Sequence, residues 1–212
     1  MKQRGILIVV SGFAGTGKGT VMKGLLSKYS DQYALSVSMT TRAPRPMERD
    51  GIEYFFSTKE QFENKIKADG FIEYACYCDN YYGTPKDYVE EQLDLGKDVL
   101  LEIEIQGALQ VKAKRPETML AFVLPPSAKE LYSRLKNRGT ETDDVIKKRM
   151  LRAIEESEGI EQYDYILVND DLDVCIESLH QMIQAEKQRA FRNLAFIETM
   201  KNELVDLKKG DL

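Results

Sequence analysis

Four groups of residues have types and spacings suited to phosphate chemistry. The first is Gly12-x4-Gly17-Lys18 in GFAGTGKGT, which follows the apolar run ILIVV at 6–10 and opens the helical stretch GTVMKGLLSKY. In that context the glycines let successive backbone N–H groups converge on one concavity, the helix N-terminus adds positive potential, and Lys18 brings a point charge to the β and γ phosphates of a nucleotide. Gly12, Phe13, Ala14, Gly15, Thr16, Gly17, Lys18, Gly19 and Thr20 therefore make up the expected ATP site. The second group is Arg42 and Arg45, three apart on a proline-stiffened turn, two rigid forks suited to a doubly charged phosphate. The third is Glu102 and Glu104 in LLEIEIQG, expected on one face of a strand at the end where open α/β sheets bind ligands. The fourth is Arg134 and Arg138, four apart on one helix face, with Arg149 on the next helix, cations able to stabilise charge on a transferring phosphoryl group.

Gly19 occupies the place where such a loop normally carries a hydroxyl that touches magnesium. Thr20 does not replace it, because the next residue of a helix is rotated by roughly 100°. Magnesium keeps several waters and leans on nucleotide phosphates, so the expectation is Mg²⁺ bound with ATP and no direct protein ligand. The GKGT segment is similar to the loop of adenylate kinases, in which glycine stands at this position.

These residues need a scaffold. The runs ILIVV (6–10), VLLEI (99–103), LAFVL (120–124) and YILV (165–168) are short and rich in β-branched residues, and helical patterns lie between them. That alternation predicts an α/β fold, a three-layer P-loop core whose parallel sheet is covered on both faces. Residues 34–84 alternate apolar with polar and contain prolines and glycines, which predicts a small, mostly antiparallel β insert. After LPPS, the patterns AKELYSRLKNRG and TETDDVIKKRMLRAIEESE predict a loosely attached helical hairpin over 126–157. The chain thus divides into a core (1–33, 85–125, 158–208), the insert (34–84), a lid (126–157) and a tail (209–212). Leu194, Ile197, Leu204 and Leu207 are expected to pack on the core or on a second subunit, as monomer or homodimer.

Composition narrows the function classes. The 212 residues are 42% hydrophobic and 31% charged, with a net charge of −5; this supports a packed core and argues against general nucleic-acid or membrane binding. No apolar run approaches the length of a membrane span or signal peptide, which makes the cytoplasm the expected location. Cys76, Cys78 and Cys175 lack metal or disulfide spacing and read as packing residues. His180 is the only histidine and reads as a satisfied helix residue.

SVSMTTRAPRPMERDGIEYFF, FIEYACYCDNYYGTP, LLEIEIQGALQVK, RLKNRGTETDDVIKKRM and VNDDLD occur in that order, and through them the chain resembles the guanylate kinases over about residues 6–187. The resemblance implies transfer of the γ-phosphoryl of ATP to GMP, and to dGMP. It implies that Ser38, Arg42, Arg45, Tyr54 and Tyr82 surround the GMP phosphate, that Glu73 and Thr84 read the guanine with help from Glu104, and that Glu102 lies near the metal waters. Arg134, Arg138 and Arg149 become lid arginines, and Asn169 lies near the adenine. Residue chemistry supports the base assignment independently: guanine presents N1–H and an amino group side by side, and an ionised carboxylate such as Glu73 accepts from both. The acceptor phosphate is already anionic, so no strong general base is required. Alternatives are a non-catalytic guanylate-kinase-like interaction domain, which lacks the loop lysine, and a kinase for another nucleoside monophosphate, against which the acceptor motifs speak.

Overall fold

The computed structural model describes residues 4–77, 79–137 and 142–209. Arg138, Cys78 and residues 210–212 of the expected tail lie outside the described residues. Strands β1 (Leu7–Gly12) and β2 (Tyr33–Leu35) belong to the larger sheet; β3 (Met39–Thr40), β4 (Phe55–Phe56), β5 (Phe71–Tyr77) and β6 (Asn80–Pro85) form the smaller one; β7 (Asp98–Glu102), β8 (Met119–Leu124) and β9 (Tyr165–Val168) complete the larger. The larger sheet has the order β2-β7-β1-β8-β9 and every pairing in it is parallel.

Alternation along β1 builds the three layers. Leu7 and Val9 enter one apolar cluster with Leu101, Leu120 and Phe122, covered by α3 (Lys86–Asp94) and α4 (Ile105–Lys114) through Val89, Leu93, Ala108 and Val111. Ile8 and Val10 enter the other with Leu100 and Val123, covered by α1 (Lys18–Lys28) and α7 (Leu172–Lys187) through Val21, Leu25, Leu179 and Ile183. Strands buried on both faces must be apolar at every position, which is why ILIVV shows no polar alternation.

Asp98, fully buried at the start of β7, accepts from the Ile6 backbone N–H at 3.0 Å and pairs with Lys187 at 2.9 Å. The last turn of α7 is thereby tied to the start of β7, an interior strand of the sheet. His180, also on α7, stacks on Tyr29 with centroids 3.9 Å apart and meets the Tyr33 hydroxyl at 2.7 Å through Nδ1. Cys175 is buried, which pushes its thiol pKa up to about 11.

Several boundaries differ from the expectation. Residues 34 and 35 pair with Val99 and Leu100 in the larger sheet, so the insert's sheet starts at Met39. The insert also carries α2 (Lys59–Lys67), started by a capping box between Thr58 and Gln61. The hairpin of α5 (Ala128–Asn137) and α6 (Asp143–Ser157) is not loosely attached: Leu131, Leu135, Ile146 and Ala153 are buried in the same cluster as β1. Glu104 does not share the strand with Glu102, because β7 ends at Glu102 and Glu104 is the N-cap of α4. Cys76 is exposed rather than packed. Helix α8 (Leu194–Lys209) leaves Leu194, Leu204 and Leu207 about 60% exposed, so they do not pack on the core. Among the described residues, no helix is long and apolar enough to cross a membrane.

Candidate active site

The carboxyl ends of β1, β7, β8 and β9 lie together at one edge of the larger sheet, the location at which open α/β sheets bind ligands. There β1 turns into the loop 13–17. Gly15 and Gly17 have φ of +97° and +84°, a left-handed backbone that disfavours a side chain. A Cβ on Gly17 would lie 2.5 Å from Asn169 Nδ2, and one on Gly15 would lie 2.9 Å from a Leu135 methyl. The loop is therefore gripped from two sides, by the residue after β9 and by the lid helix α5.

Buried Thr16 donates its hydroxyl to the Phe13 carbonyl at 3.0 Å, and Asn169 donates to the Thr16 carbonyl at 2.7 Å. Asn169 is only 6% exposed, and one N–H of its amide is bonded to the loop backbone. Phe13 anchors the loop by an edge contact on Phe122. Gly19 and Thr20 lie in the first turn of α1, with Gly17 as its left-handed N-cap.

The loop walls a cavity of about 490 Å³. Facing loop residues 12–15 and 17–20 across this space are Glu102 and Glu104 on the sheet side and Arg149, Arg152 and Glu156 on α6. Lys18 Nζ lies 3.7 Å from Glu102 Oε1. A side chain on Gly19 would point at the same carboxylate, its Cβ 3.9 Å from Glu102 Oε1. Of the expected lid arginines, Arg149 lines this cavity with the loop. Arg134 does not line this cavity; its guanidinium is held by Glu130, one turn earlier on α5, at 2.8 Å.

The smaller sheet carries a second set of groups. Arg42, just after β3, donates to both oxygens of Glu48 at 2.9 Å, and its guanidinium lies 5.4 Å from the centre of the Tyr54 ring. Tyr54 and Tyr82 meet edge to face, with centroids 6.1 Å apart. Glu48 also accepts the Arg45 backbone N–H at 2.8 Å. That bond and the Arg42 pairing hold its carboxyl below the ordinary range, while the Arg45 side chain stays exposed. Ser38 is half-buried and accepts the Phe55 N–H through its carbonyl at 2.9 Å. Arg42, Tyr54 and Tyr82 form one aromatic and cationic cluster, separate from the cavity at the loop.

Glu73 lies where the β5–β6 register shifts. It is 7% exposed, and its Oε1 accepts the hydroxyl of fully buried Thr84 at 2.7 Å. Burial raises its pKa above the usual carboxylate value, and the bonds from Thr84 pull partly the other way. A Cβ on Gly107 would stand 3.6 Å from Glu73 Oε2, so Glu73 faces the first turn of α4, the turn that Glu104 caps. Tyr81, by contrast, stacks on Phe62 with centroids 5.2 Å apart and serves the insert's own packing.

Sequence reasoning missed Lys23, Arg152 and Glu156, which line the cavity, and Glu48, which clasps Arg42. Arg152 had a signal: it follows Arg149 by three residues and so shares its helix face. Glu48 had none, since one glutamate in an arginine-rich turn does not declare which guanidinium it orients.

The family model described as guanylate kinase matches residues 4–186. The chain is 48% identical over 192 residues to the guanylate kinase of Latilactobacillus sakei, covering 91% of this chain and 95% of that one. It is 49% identical over 193 residues to that of Caldanaerobacter subterraneus subsp. tengcongensis, covering 91% and 93%. Identity to the enzyme of Halalkalibacterium halodurans is 50% over 185 residues, covering 87% and 90%. The crystal structure of guanylate kinase from Anaplasma phagocytophilum superposes with a TM-score of 0.69 at 30% identity, over 91% of each chain.

Proposed function

The chain belongs to the guanylate kinase family and is a kinase that moves a phosphoryl group from ATP to GMP, and we propose that it does so by alignment and charge neutralisation in the cavity between the phosphate loop and α6. The carrying observation is that Lys18, Glu102, Glu104 and Arg149 converge on this one space while Glu73 stands one helical turn from Glu104.

On this reading the loop N–H groups and Lys18 hold the β and γ phosphates, and Arg149 neutralises the moving group from the lid side. Arg134 and Arg138 are assigned to the same lid, Arg134 exchanging Glu130 for phosphate. Arg42 and Arg45, with Tyr54, Tyr82 and Ser38, hold the GMP phosphate; the Glu48 clasp keeps the Arg42 fork oriented before the nucleotide arrives. Glu73 accepts the two adjacent guanine N–H groups, Thr84 fixes its carboxylate, and Glu104 assists on the amino group. The acceptor oxygen arrives anionic, so no side chain has to remove a proton.

Magnesium fits the residues present. Gly19 leaves contact-distance space in front of Glu102, and among the described residues no group of three His, Cys, Asp or Glu is arranged to cage a metal. Glu102 would hold the ion through its water shell, with the nucleotide phosphates as direct ligands. The bound ion would neutralise phosphate charge during transfer. ADP release measured with Mg²⁺-ATP and each of GMP, dGMP, AMP, CMP and UMP tests the assignment. Turnover with GMP and dGMP alone is expected, and equal turnover with AMP would remove the guanine role of Glu73.

A further inference from the structure

Arg152 lies on α6, three residues beyond Arg149, and lines the same cavity as the phosphate loop. Its Nε donates to Glu156, one turn ahead, at 2.9 Å. Its Nη2 reaches off the helix to Glu104 Oε2 at 3.0 Å. This guanidinium therefore spans the cavity from the donor-side lid to the carboxylate of Glu104, the N-cap residue of α4. Glu104 is free to leave: its side chain is 72% exposed and makes no capping bond to its own helix.

We propose that Arg152 is a positioning residue that couples the two substrates by exchanging partners. The inference rests on the reading in which Glu104 serves the guanine amino group. When GMP draws Glu104 to the base, Arg152 loses that anion and its fork turns to the dense negative charge of the triphosphate on the loop, since Glu102 already faces Lys18. Glu156 remains bonded and keeps the arginine aimed inward. GMP thereby prepares the lid for ATP, and by linkage ATP favours GMP equally. A lid cation released only when the acceptor is in place also disfavours closure over ATP and water alone, the discrimination that induced fit provides.

Exposed ion pairs have modest strength, so the coupling through this exchange is about two- to five-fold. The test is calorimetric titration of the full chain with the non-hydrolysable analogue AMP-PNP at fixed Mg²⁺, without GMP and with saturating GMP. In Arg152→Gln the ratio of the two affinities falls by about two- to five-fold relative to the unmodified protein. The same variant binds GMP alone slightly tighter, because Glu104 no longer has to leave a partner; a merely structural lesion would weaken it instead. Arg152→Lys, which keeps the charge, restores most of the ratio. An unchanged ratio in Arg152→Gln, weaker GMP binding in that variant, or a lysine that restores nothing overturns the exchange. Glu104→Gln separates the layers: unchanged GMP affinity there removes the underlying reading of Glu104, whereas an unchanged ratio in Arg152→Gln alone removes only the coupling.

Discussion

Replacing Glu73 by glutamine changes one atom's chemistry in a nearly closed site, and its two consequences have opposite signs. The ionised carboxylate is 7% exposed and has a raised pKa because burial penalises its charge. Thr84 already donates to Oε1, so the amide is accommodated with its NH₂ toward the Thr84 oxygen and its carbonyl toward the base. One guanine N–H keeps an acceptor, now neutral, and the other loses its partner. A hydrogen bond to a charged group contributes about 1.5–3 kcal/mol and a buried unmatched donor costs about 1–3 kcal/mol. The low ends sum to about 2.5 kcal/mol, a little under a hundred-fold in kcat/KM for GMP. AMP brings a lone pair rather than N1–H to this position, so its poor turnover changes little, and the GMP to AMP preference falls by roughly the same factor.

In the free protein the same substitution stabilises. A carboxyl whose folded pKa is raised contributes stability below its unfolded value and loses it as pH rises through the folded value. At neutral pH the charge is a burden that glutamine removes, and the melting temperature rises. Below the raised pKa, GMP affinity of the unmodified protein also drops, because the protonated acid no longer accepts from both guanine donors. Steady-state kinetics with GMP and AMP on both proteins, with thermal melts at pH 7, decide the matter. An unchanged GMP to AMP ratio refutes base reading by Glu73, and a lowered melting temperature refutes the account of its buried charge.

Three further outcomes follow from the geometry. Lys18→Ala is expected to nearly abolish turnover while leaving GMP affinity within about two-fold, since a ground-state contact to the other substrate is untouched; calorimetry with GMP alone checks it, and a comparable loss of GMP affinity would place the lysine on the acceptor side. Gly19→Ser should fold normally, because its Cβ meets only ordinary contacts at 3.9 Å, and should lower the Mg²⁺ concentration for half-maximal rate by placing a hydroxyl beside Glu102; an unchanged metal requirement argues against an ion at that spot. Asp98→Ala leaves Lys187 and the Ile6 N–H without their partner inside the fold, a loss of about 3–5 kcal/mol and, at roughly 2–4 °C per kcal/mol for a chain of this size, a melting point lower by at least about 6 °C.

What the sequence disclosed and what it withheld divide along a physical line. Local patterns specify local geometry: ILIVV reads as a two-sided buried strand because no face of it tolerates a polar group, and Gly12-x4-Gly17-Lys18 reads as a phosphate loop because its spacing dictates backbone direction. Both are found in place. Contacts made across the fold carry no such period. Asn169 sits in a motif that suggests adenine, and it also holds a carbonyl 153 positions away; only the closing of β9 beside the loop reveals that bond. Leu131 and Leu135 look like the apolar stripe of any surface hairpin, and whether that stripe meets the core or hangs free depends on where the loop around Gly15 presents its glycine. Here it meets the core, and the lid becomes part of the site's wall. The same reasoning explains the arginines. Arg134 and Arg149 are indistinguishable as charges on helices, but α5 turns its guanidinium to Glu130 while α6 turns Arg149 and Arg152 to the cavity. Assigning a cation to chemistry therefore requires knowing which anion already holds it, and the anion that Arg152 reaches off its helix is Glu104, which on the reading proposed above serves the other substrate.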